Sequence, residues 1–267
     1  MSKNNNPILP VIFGFDIADY AFARIFHEAI GVRSLVVTEI RRGPINDSGI
    51  FDTQMIPLGT VNVEEKFIAL LHQIAVEHPD ERLVLCINSD EGVDFVSRHR
   101  AELEDRWFLP YAPASAVETA NSKRAMAELI ASLDFPVPGR TSVDLSQPET
   151  WRENLEKVTF PVVVKPEDGA ELTTYHHQGL RKAMPIDTLD EALATFTAWH
   201  ANGVPICLIV QELISGDDTT QWVVNGYVDS RGEITATGSG RVLLGLHQPE
   251  VIGNAAMILV QRNDELI

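Results

Sequence analysis

The chain has 267 residues, 45% of them hydrophobic and 22% charged, which excludes a disordered, collagen-like or disulfide-scaffold protein. Its 21 basic and 38 acidic residues give a formal net charge of -17, so the overall field repels a nucleic-acid backbone or an anionic membrane surface. An anionic small molecule stays compatible with this charge where lysines and backbone N–H groups converge. The length predicts roughly two domains.

The amino-terminal residues predict a cytoplasmic protein without membrane insertion. The opening MSKNNNPILP has no long apolar segment of the kind that a signal peptide needs. No apolar run approaches the roughly 18 residues of a membrane helix. Cys86 and Cys207 lie in separate apolar runs, so we expect buried free thiols.

Residues 1–115 alternate apolar runs with amphipathic stretches, the pattern of a mostly parallel sheet with crossover helices. This predicts an α/β, Rossmann-like first domain. The predicted strands are Ile8–Phe13, Ser34–Val37, Leu83–Ile87 and Trp107–Leu109, and the predicted helices are Ala18–Ile30 and Val63–Val76.

Polar loops follow two of these strands, at the edge where parallel sheets bind ligands. Gly14 and Asp16 follow the first strand, and Asp90 and Glu91 lie in the loop Asn88–Gly92. We expect these four residues to orient a substrate, with ordinary turn chemistry as the alternative. The single glycine after the first strand departs from G-x-G-x-x-G and disfavours a nicotinamide enzyme.

Residues 116–267 predict a second, α+β domain. A helix over Ser122–Leu133 ends before Pro136, and the segment Thr141–Glu149 reads as polar and irregular. Thr188 and Glu191 have capping-box spacing. The other predicted elements are a strand at Val162–Pro166, strand-like pieces near Thr173 and Leu180, a helix over Asp187–Ala201 with Gly203 at its exit, a strand at Cys207–Gln211, and a hairpin of Gln221–Val228 with Glu233–Ser239.

Four features carry chemistry in this second part. They are Asn121–Arg124 at a helix start, Phe160–Pro166 as a strand ending in lysine, Leu208–Ile214, and Ser215–Asp218. About 42 residues separate Lys123 from Lys165, and about 47 separate Lys165 from Glu212. Each feature alone is more often a solvated strand end or a turn.

In this order and at these separations the features resemble the ATP-grasp fold. The phrases PVIFGFDIADYAFARIFHE, LIVQELISGDD and VIGN resemble the cell-wall branch of that family, the D-aspartate ligases that attach D-aspartate to the lysine side chain of the peptidoglycan stem. The resemblance runs from about Pro7 to the end of the chain. It implies a pre-ATP-grasp domain at 1–115, then an incomplete ATP-grasp domain at 116–267 with a lid at about 160–212.

The resemblance also implies the chemistry and the partners. ATP would phosphorylate an amino-acid carboxylate, and an amine of a peptidoglycan precursor would attack the acylphosphate. A lysine about 4 Å from a phosphate oxygen gains on the order of 4 kcal/mol at an effective dielectric near 20, before desolvation costs. Two lysines would therefore outweigh the repulsion by the overall charge.

By the same resemblance, Lys123 would reach the α-phosphate and Lys165 the α- and β-phosphates. Gln211 would bind the exocyclic amine of adenine. The segment Glu212, Leu213 and Ile214 would form the adenine slot, with the backbone of Glu212 and Ile214 on the ring edge.

Three more residues receive expected roles from the resemblance. Asp218 matches the family's ribose-binding acid, and its neighbour Asp217 is less favoured. Arg241 corresponds to a basic residue on the transferred phosphate, with an ordinary surface arginine as the alternative. Asn254 lies in a family phrase without an assigned role.

The lid departs from the family pattern. It reads PEDGAELTTYHHQG, with few glycines, and Glu167 and Asp168 would repel phosphate unless they point away. His176 and His177 are adjacent, so on a strand they would point to opposite faces, and no metal site is expected there.

The metal ligands of the family are not found in this sequence. ATP-grasp catalysis uses Mg²⁺ held by an acidic residue and an E-x-N motif, and no E-x-N occurs. We therefore expect the ligands beyond residue 267 and an inactive chain when it is alone. A fragment, a split gene product and a natural chain without catalysis are the three explanations.

Other functions remain open from the sequence. The same fold serves other amino-acid ligases and carbamoyl-phosphate-type enzymes. A non-catalytic nucleotide-binding module fits the missing E-x-N motif and the acidic lid. An α/β protein that binds a small anion is a further alternative.

Overall fold

The computed structural model describes residues 7–167, 174–248 and 252–267, without the side chains of Pro44, Lys123 and Arg124. The chain divides into two compact units, Met1–Ser132 and Leu133–Ile267. This division lies after the boundary predicted near residue 115, because the helix Ala114–Asn121 packs on the helix Asp90–Arg98 of the first unit. The assignment of residues 116–132 to an ATP-grasp domain stays a prediction.

Unit 1 contains a five-stranded parallel sheet, as the alternating pattern predicted. Its strands have the spatial order β3-β2-β1-β4-β5. They are β1 (Ile8–Phe13), β2 (Ser34–Thr38), β3 (Phe51–Met55), β4 (Arg82–Ile87) and β5 (Trp107–Phe108).

Helices cover both faces of this sheet, so adjacent residues of one strand lie in different cores. Val11 and Phe13 pack in one cluster with side chains of α3 and α4, whereas Ile12 packs in the other with Ala23 of α1. The helices of unit 1 are α1 (Ile17–Ile30), α2 (Pro44–Asp47), α3 (Glu64–Glu77), α4 (Asp90–Arg98), α5 (Arg100–Leu103), α6 (Ala114–Asn121) and α7 (Lys123–Ser132).

Unit 1 differs from the sequence-based prediction in several parts, and helices α4, α5 and α6 were not predicted. The elements β3 and α2 were not predicted, since FDTQM has few apolar residues and α2 is a single turn. The predicted loop Asn88–Gly92 is in part helical, because the Ser89 hydroxyl accepts the Gly92 N–H (3.1 Å) and caps a helix that begins at Asp90. Strand β5 ends at Phe108, one residue early.

Unit 2 contains a four-stranded antiparallel sheet with the order β6-β9-β7-β8. One face packs on two helices through a core that includes Val164, Trp151, Phe196 and Leu208. The strands are β6 (Arg140–Asp144), β7 (Val162–Pro166), β8 (Met184–Ile186) and β9 (Cys207–Glu212), and the helices are α8 (Trp151–Leu155) and α9 (Leu189–Ala201).

A second, three-stranded antiparallel sheet completes the described part of unit 2. Strand β10 (Trp222–Val228) pairs with β11 (Ile234–Gly245), and β11 pairs with β12 (Ala255–Val260). The predicted hairpin is confirmed, with Asp229 accepting the N–H groups of Arg231 (2.9 Å) and Glu233 (3.1 Å) in the turn.

Some predictions for unit 2 are wrong. The segment Thr141–Glu149 is not wholly irregular, since β6 pairs with β9 despite its polar sequence. Leu180 is buried but lies in no strand, and Thr173 lies outside the described residues. Half of the predicted capping box forms: Thr188 accepts the Glu191 N–H (3.2 Å), while Glu191 accepts from Asp187 instead of Thr188.

Candidate functional site

Two of the predicted nucleotide-binding side chains share one face of the four-stranded sheet. Burial alternates along β7 and β9, and Lys165 and Gln211 are on the face that α8 and α9 leave uncovered. Lys165 pairs with Ile209, and Gln211 pairs with Val163, so the two lie diagonally across neighbouring strands. The diagonal distance is one that long side chains can bridge.

Arg140 belongs to the same sheet face and was missed by the sequence analysis. It is the residue of β6 directly opposite Gln211. The sequence analysis predicted that Thr141–Glu149 is irregular. Because it did not predict strand β6, it could not place Arg140 opposite Gln211. This sheet face therefore carries two cationic side chains, Arg140 on β6 and Lys165 on β7. Gln211 is on β9, which lies between those two strands.

The backbone of residues 212–214 is only partly free to bind an adenine edge. The Glu212 N–H donates to the Gly139 carbonyl (2.8 Å), and the Leu213 N–H donates to the Pro161 carbonyl (2.9 Å). Among the described residues, no acceptor is found for the Ile214 N–H. Ile214 is also 73% exposed, so its N–H is the donor in this segment that a ligand can use.

The Glu212 carboxylate has a structural role that the sequence did not reveal. It accepts hydrogen bonds from the backbone N–H groups of Thr159 (2.9 Å) and Gly139 (3.2 Å). These bonds, with Thr159 contributing most, hold the pKa of Glu212 below its usual range. The side chain thus joins the loop before β7 to the start of β6.

Asp217 and Asp218 both have partners inside the chain. Asp218 Oδ2 accepts from the Gly245 N–H (2.8 Å) and lies 3.0 Å from His247 Nε2, and these contacts lower the pKa of Asp218. Asp217 Oδ1 accepts from the N–H (2.9 Å) and hydroxyl (2.6 Å) of Thr219. The ribose contact of Asp218 stays a prediction.

Arg241 lies beside this acidic turn. Its Nε donates to the Thr219 carbonyl (2.8 Å), and its side chain is exposed. The Thr219 hydroxyl is the main cause of the lowered pKa of Asp217, and the charge of Arg241 adds to it. The phosphate contact of Arg241 stays a prediction.

Asn254, which had no predicted role, links two segments of unit 2. Its backbone carbonyl accepts from the Leu246 N–H (2.8 Å), and its side-chain oxygen accepts from Lys182 Nζ (3.3 Å). The residue therefore ties the connection between β11 and β12 to the segment before β8.

The structure describes only some of the residues in the remaining phosphate and lid predictions. Lys123 begins α7, but its side chain is not described. Asp168 lies outside the described residues. His176 and His177 lie in a 3₁₀-helix, His176–Gln178, and not on a strand. Within the described ranges, no group of three or more His, Cys, Asp and Glu side chains could hold a metal ion.

Unit 1 contains a cavity of about 620 Å³ at the carboxyl ends of β1, β2 and β4. It lies next to β1, where the strand order reverses, which is the ligand site of open parallel sheets. Six buried apolar side chains form its wall: Phe13, Val37, Ile56, Phe67, Ile87 and Phe95. The rings of Phe13 and Phe67 are 4.9 Å apart, and those of Phe67 and Phe95 are 4.7 Å apart.

The loop after β1 is shaped by Asp19. Its carboxylate accepts the Asp16 N–H (3.0 Å), and Asp16 in turn accepts the N–H groups of Ala18 (2.8 Å) and Asp19 (3.3 Å), which forms a capping box. A Cβ atom at Gly14 would lie 2.0 Å from the Asp19 carboxylate, so only glycine fits there. Burial raises the pKa of Asp19 to about 6.

Tyr111 supports the end of β4 next to the cavity. The Ile87 N–H donates to the Tyr111 hydroxyl (2.6 Å), which donates to the Leu85 carbonyl (3.1 Å). Strand β5 pairs only with Leu83 and Val84 of β4. From Leu85 to Ile87, the Tyr111 hydroxyl binds backbone groups that a neighbouring strand would otherwise bind.

The cavity contains three of the four predicted substrate residues. Gly14, Asp16 and Glu91 line it, whereas Asp90 does not. The sequence analysis missed Asp19, although its spacing from Asp16 fits a capping box. It also missed Glu39, Glu64, Asn62 and Arg98, because the loops and helices that carry them come together only in the folded unit.

Comparison with solved structures identifies the class of fold. An L-amino acid ligase from Bacillus licheniformis superposes with a TM-score of 0.60 at 15% identity, over 98% of this chain and 57% of that one. An ADP complex of N5-carboxyaminoimidazole ribonucleotide synthetase superposes with a TM-score of 0.57 at 12% identity, over 94% of this chain and 58% of that one. The chain has the fold of the ATP-grasp ligases over the part that it spans.

Among curated proteins, the chain is similar to a D-aspartate ligase of Enterococcus faecium (strain Aus0004). The two are 26% identical over 273 aligned residues, which cover 99% of this chain and 63% of the relative. The predicted resemblance to ATP-grasp ligases, and more narrowly to D-aspartate ligases, is thus confirmed. No protein-family model matches the chain. In the ranges that the structure describes, every helix is too short or too polar to cross a bilayer.

Proposed function

We propose that residues 1–267 are the amino-terminal part of an ATP-dependent ligase that joins the carboxylate of D-aspartate to the lysine side-chain amine of a peptidoglycan precursor. The observation that carries the proposal is the similarity of almost the whole chain to a D-aspartate ligase. The chain spans 63% of that relative's length, and we propose the reaction for the protein that contains these residues.

The reaction proceeds in two steps. A carboxylate oxygen of the amino acid attacks the γ-phosphorus of ATP, and the bond to the β-phosphate oxygen breaks, which gives an acylphosphate and ADP. The deprotonated amine then attacks the acyl carbon, a C–N bond forms, and inorganic phosphate leaves. The amine loses its second proton to solvent or to a base.

Unit 2 supplies the proposed nucleotide contacts. Lys165 on β7 binds the α- and β-phosphates, and Gln211 binds the exocyclic amine of adenine. The N–H of Ile214 is the donor to a ring nitrogen. Glu212 contributes to the ring edge through its backbone carbonyl, since its N–H donates to Gly139. Asp218 binds the ribose and Arg241 the transferred phosphate. The α-phosphate contact of Lys123 rests on the sequence resemblance alone.

The residues at hand do not fit a magnesium site. The sequence contains no E-x-N, and among the described residues no group of three or more His, Cys, Asp and Glu side chains could hold a metal ion. We therefore derive no step through Mg²⁺. We propose that residues 1–267 by themselves bind ATP weakly and release no ADP, and amino-acid-dependent ADP release by this chain alone would contradict that.

The test is ADP release by the longest uninterrupted gene product that contains these residues. It receives Mg-ATP, a lysine-containing peptidoglycan precursor, and either D- or L-aspartate. Release that requires both D-aspartate and the precursor supports the proposal. Release with another amino acid would instead indicate a related ligase, such as the L-amino acid ligase whose structure is similar.

A non-catalytic nucleotide-binding module is the second candidate. The absence of E-x-N and the acidic lid residue Glu167 favour it. For this candidate we expect ATP to bind to the longest gene product without ADP release for either aspartate isomer. Turnover with any amino acid would exclude it.

A further inference from the structure

The walls of the cavity in unit 1 suit an alkyl chain. Its deep part is formed by the rings of Phe13, Phe67 and Phe95 together with aliphatic side chains, all of them buried. A volume of about 620 Å³ is within the range of small-molecule sites. An unbranched hydrocarbon chain of four or five carbons occupies part of such a space and gains dispersion and desolvation energy against its apolar wall.

The charged groups of the cavity are almost all acidic. Five carboxylates line it, from Asp16, Asp19, Glu39, Glu64 and Glu91, against one guanidinium. That guanidinium, of Arg98, is already engaged by Glu64 (3.1 Å) and Asp94 (3.0 Å). The field inside the cavity is therefore negative.

Asp19 is the buried member of this set. It is only 4% exposed, and its hydrogen bonds come from the neighbouring backbone. Among the described residues, no cationic side chain forms an ion pair with it. A carboxylate buried without a counter-ion is costly, and a cationic ligand would relieve that cost.

We propose that this cavity binds the amine substrate, as a primary alkylammonium such as a lysine side chain, and not the acidic amino acid. The alkyl stem lies against the phenylalanine wall, and the ammonium lies among the carboxylates. The ammonium would also interact favourably with the faces of the aromatic rings. This inference rests on the proposed ligase function, since that function supplies the lysine acceptor.

The same charges argue against aspartate as the occupant. Aspartate carries two carboxylates and one ammonium, so it enters the cavity with a net negative charge. Unit charges about 4 Å apart interact by about 4 kcal/mol at an effective dielectric near 20, and here the sign is repulsive. This departs from the sequence-based expectation, which gave Gly14, Asp16, Asp90 and Glu91 to the amino-acid substrate.

The test is a binding experiment that needs neither ATP nor catalysis. Isotope-labelled protein is titrated with Nα-acetyl-L-lysine amide, with Nα-acetyl-L-norleucine amide, and with D-aspartate. Norleucine keeps the four-carbon chain and lacks the ammonium. The readout is the amide resonances of the side chains of Asn62 and Asn88, which line the cavity, compared with Asn154, which is outside it.

We expect saturable shifts of Asn62 and Asn88 with the lysine compound and at least about tenfold weaker binding of the norleucine compound. Equal affinities of the two compounds would overturn the inference. Shifts confined to residues outside the cavity, or tighter binding of D-aspartate at Asn62 and Asn88, would also overturn it.

Two variants change the cavity in different ways. Glu91→Gln removes an exposed carboxylate at its rim and is expected to weaken lysine-amide binding several-fold. Val61→Trp places a bulky ring at a partly exposed lining position and is expected to abolish binding. Asp105→Asn removes the same charge from an exposed site outside the cavity and should leave binding unchanged.

The two proposals can fail separately. Lysine-amide binding in the cavity, without ligase turnover, would retain this inference and reject the proposed function. Turnover with D-aspartate and precursor, with an unchanged KM for the precursor in both Glu91→Gln and Val61→Trp, would retain the function and reject this inference. Thermal unfolding of both variants verifies that they fold.

Discussion

Strands β4 and β12 are both six-residue strands built mainly from apolar residues, yet their surroundings differ. In β4, of unit 1, every residue from Leu83 to Ile87 is at most 8% exposed. In β12, of unit 2, Val260 is 87% exposed and Met257 is 56% exposed. Strand β4 lies inside a parallel sheet covered by helices on both faces, whereas β12 is an edge strand of an antiparallel sheet.

This difference in burial indicates what kind of ligand site each unit can form. Unit 1 has closed apolar cores on both faces of its sheet, so it encloses a cavity with its own side chains. In unit 2 the predicted nucleotide residues lie on an uncovered sheet face and in exposed turns. The predictions below test the two units separately, beginning with the largest expected effect.

Replacing Lys165 by Ala should weaken ATP binding by about 2–5 kcal/mol, on the order of 30-fold to several thousand-fold, since a charge contact to phosphate is lost. Isothermal titration of the longest gene product with ATP measures the change. The control is Lys157→Ala, which removes an exposed lysine that pairs with Glu153 (3.5 Å). Unchanged ATP affinity of the Lys165 variant would remove the central residue of the nucleotide site.

Replacing Gly14 by Ala should lower the stability of unit 1 by about 3 kcal/mol, because the new methyl group overlaps the Asp19 carboxylate. Urea unfolding followed by circular dichroism gives the free energy. Gly49→Ala is the matched control, since a Cβ atom there meets nothing within 4 Å. Equal stability of the two variants would contradict the described position of Asp19.

Replacing Tyr111 by Phe should cost unit 1 about 1–2 kcal/mol, because the Ile87 N–H loses its acceptor at the end of β4. Hydrogen exchange locates the effect, and we expect faster exchange at Ile87 than in the wild type. Tyr227→Phe is the control, on the exposed strand β10. A loss of protection spread evenly over both units would argue against this local role.

The smallest effect concerns Glu212 of unit 2 and depends on pH. Its folded-state pKa is lowered by the Thr159 and Gly139 N–H groups, so its stabilisation is present above the ordinary pKa of a glutamate and is lost as the pH falls through the lowered value. Thermal unfolding of Glu212→Gln at decreasing pH should show a smaller acid-induced loss than the wild type. Glu233→Gln, on the exposed hairpin turn, should behave as the wild type.

Most strands were predictable because their signal is local. Ile8–Phe13 was predicted with its observed bounds, and the hairpin was predicted from the turn residues Asp229–Gly232. Strand β6 was missed, since its sequence RTSVD is polar and only its pairing with β9 makes it a strand. Helix α4 was not predicted, because a serine cap beside two acidic residues resembles a loop.

The candidate site residues were predictable where each lies within a single segment with a recognisable pattern. Lys165 and Gln211 lie on strands recognised from the sequence, and their shared face follows from alternation. Asp16 was found as a polar loop residue, but its capping box with Asp19 was not recognised although its spacing is local. The hydrogen bonds of Glu212 and Asp218 join residues far apart in the chain, so no local pattern indicates them.

The sequence by itself determined the fold class, most of the apolar strands and the resemblance to ATP-grasp ligases, because hydrophobic periodicity and motif spacing are properties of short segments. Only the tertiary structure decided the composition of the cavity in unit 1. Its wall and its carboxylates come from β1, β2, β4, α1, α3, α4 and the loops that follow the strands. Their proximity arises from the parallel crossovers, which bring the carboxyl ends of separate strands to one edge of the sheet.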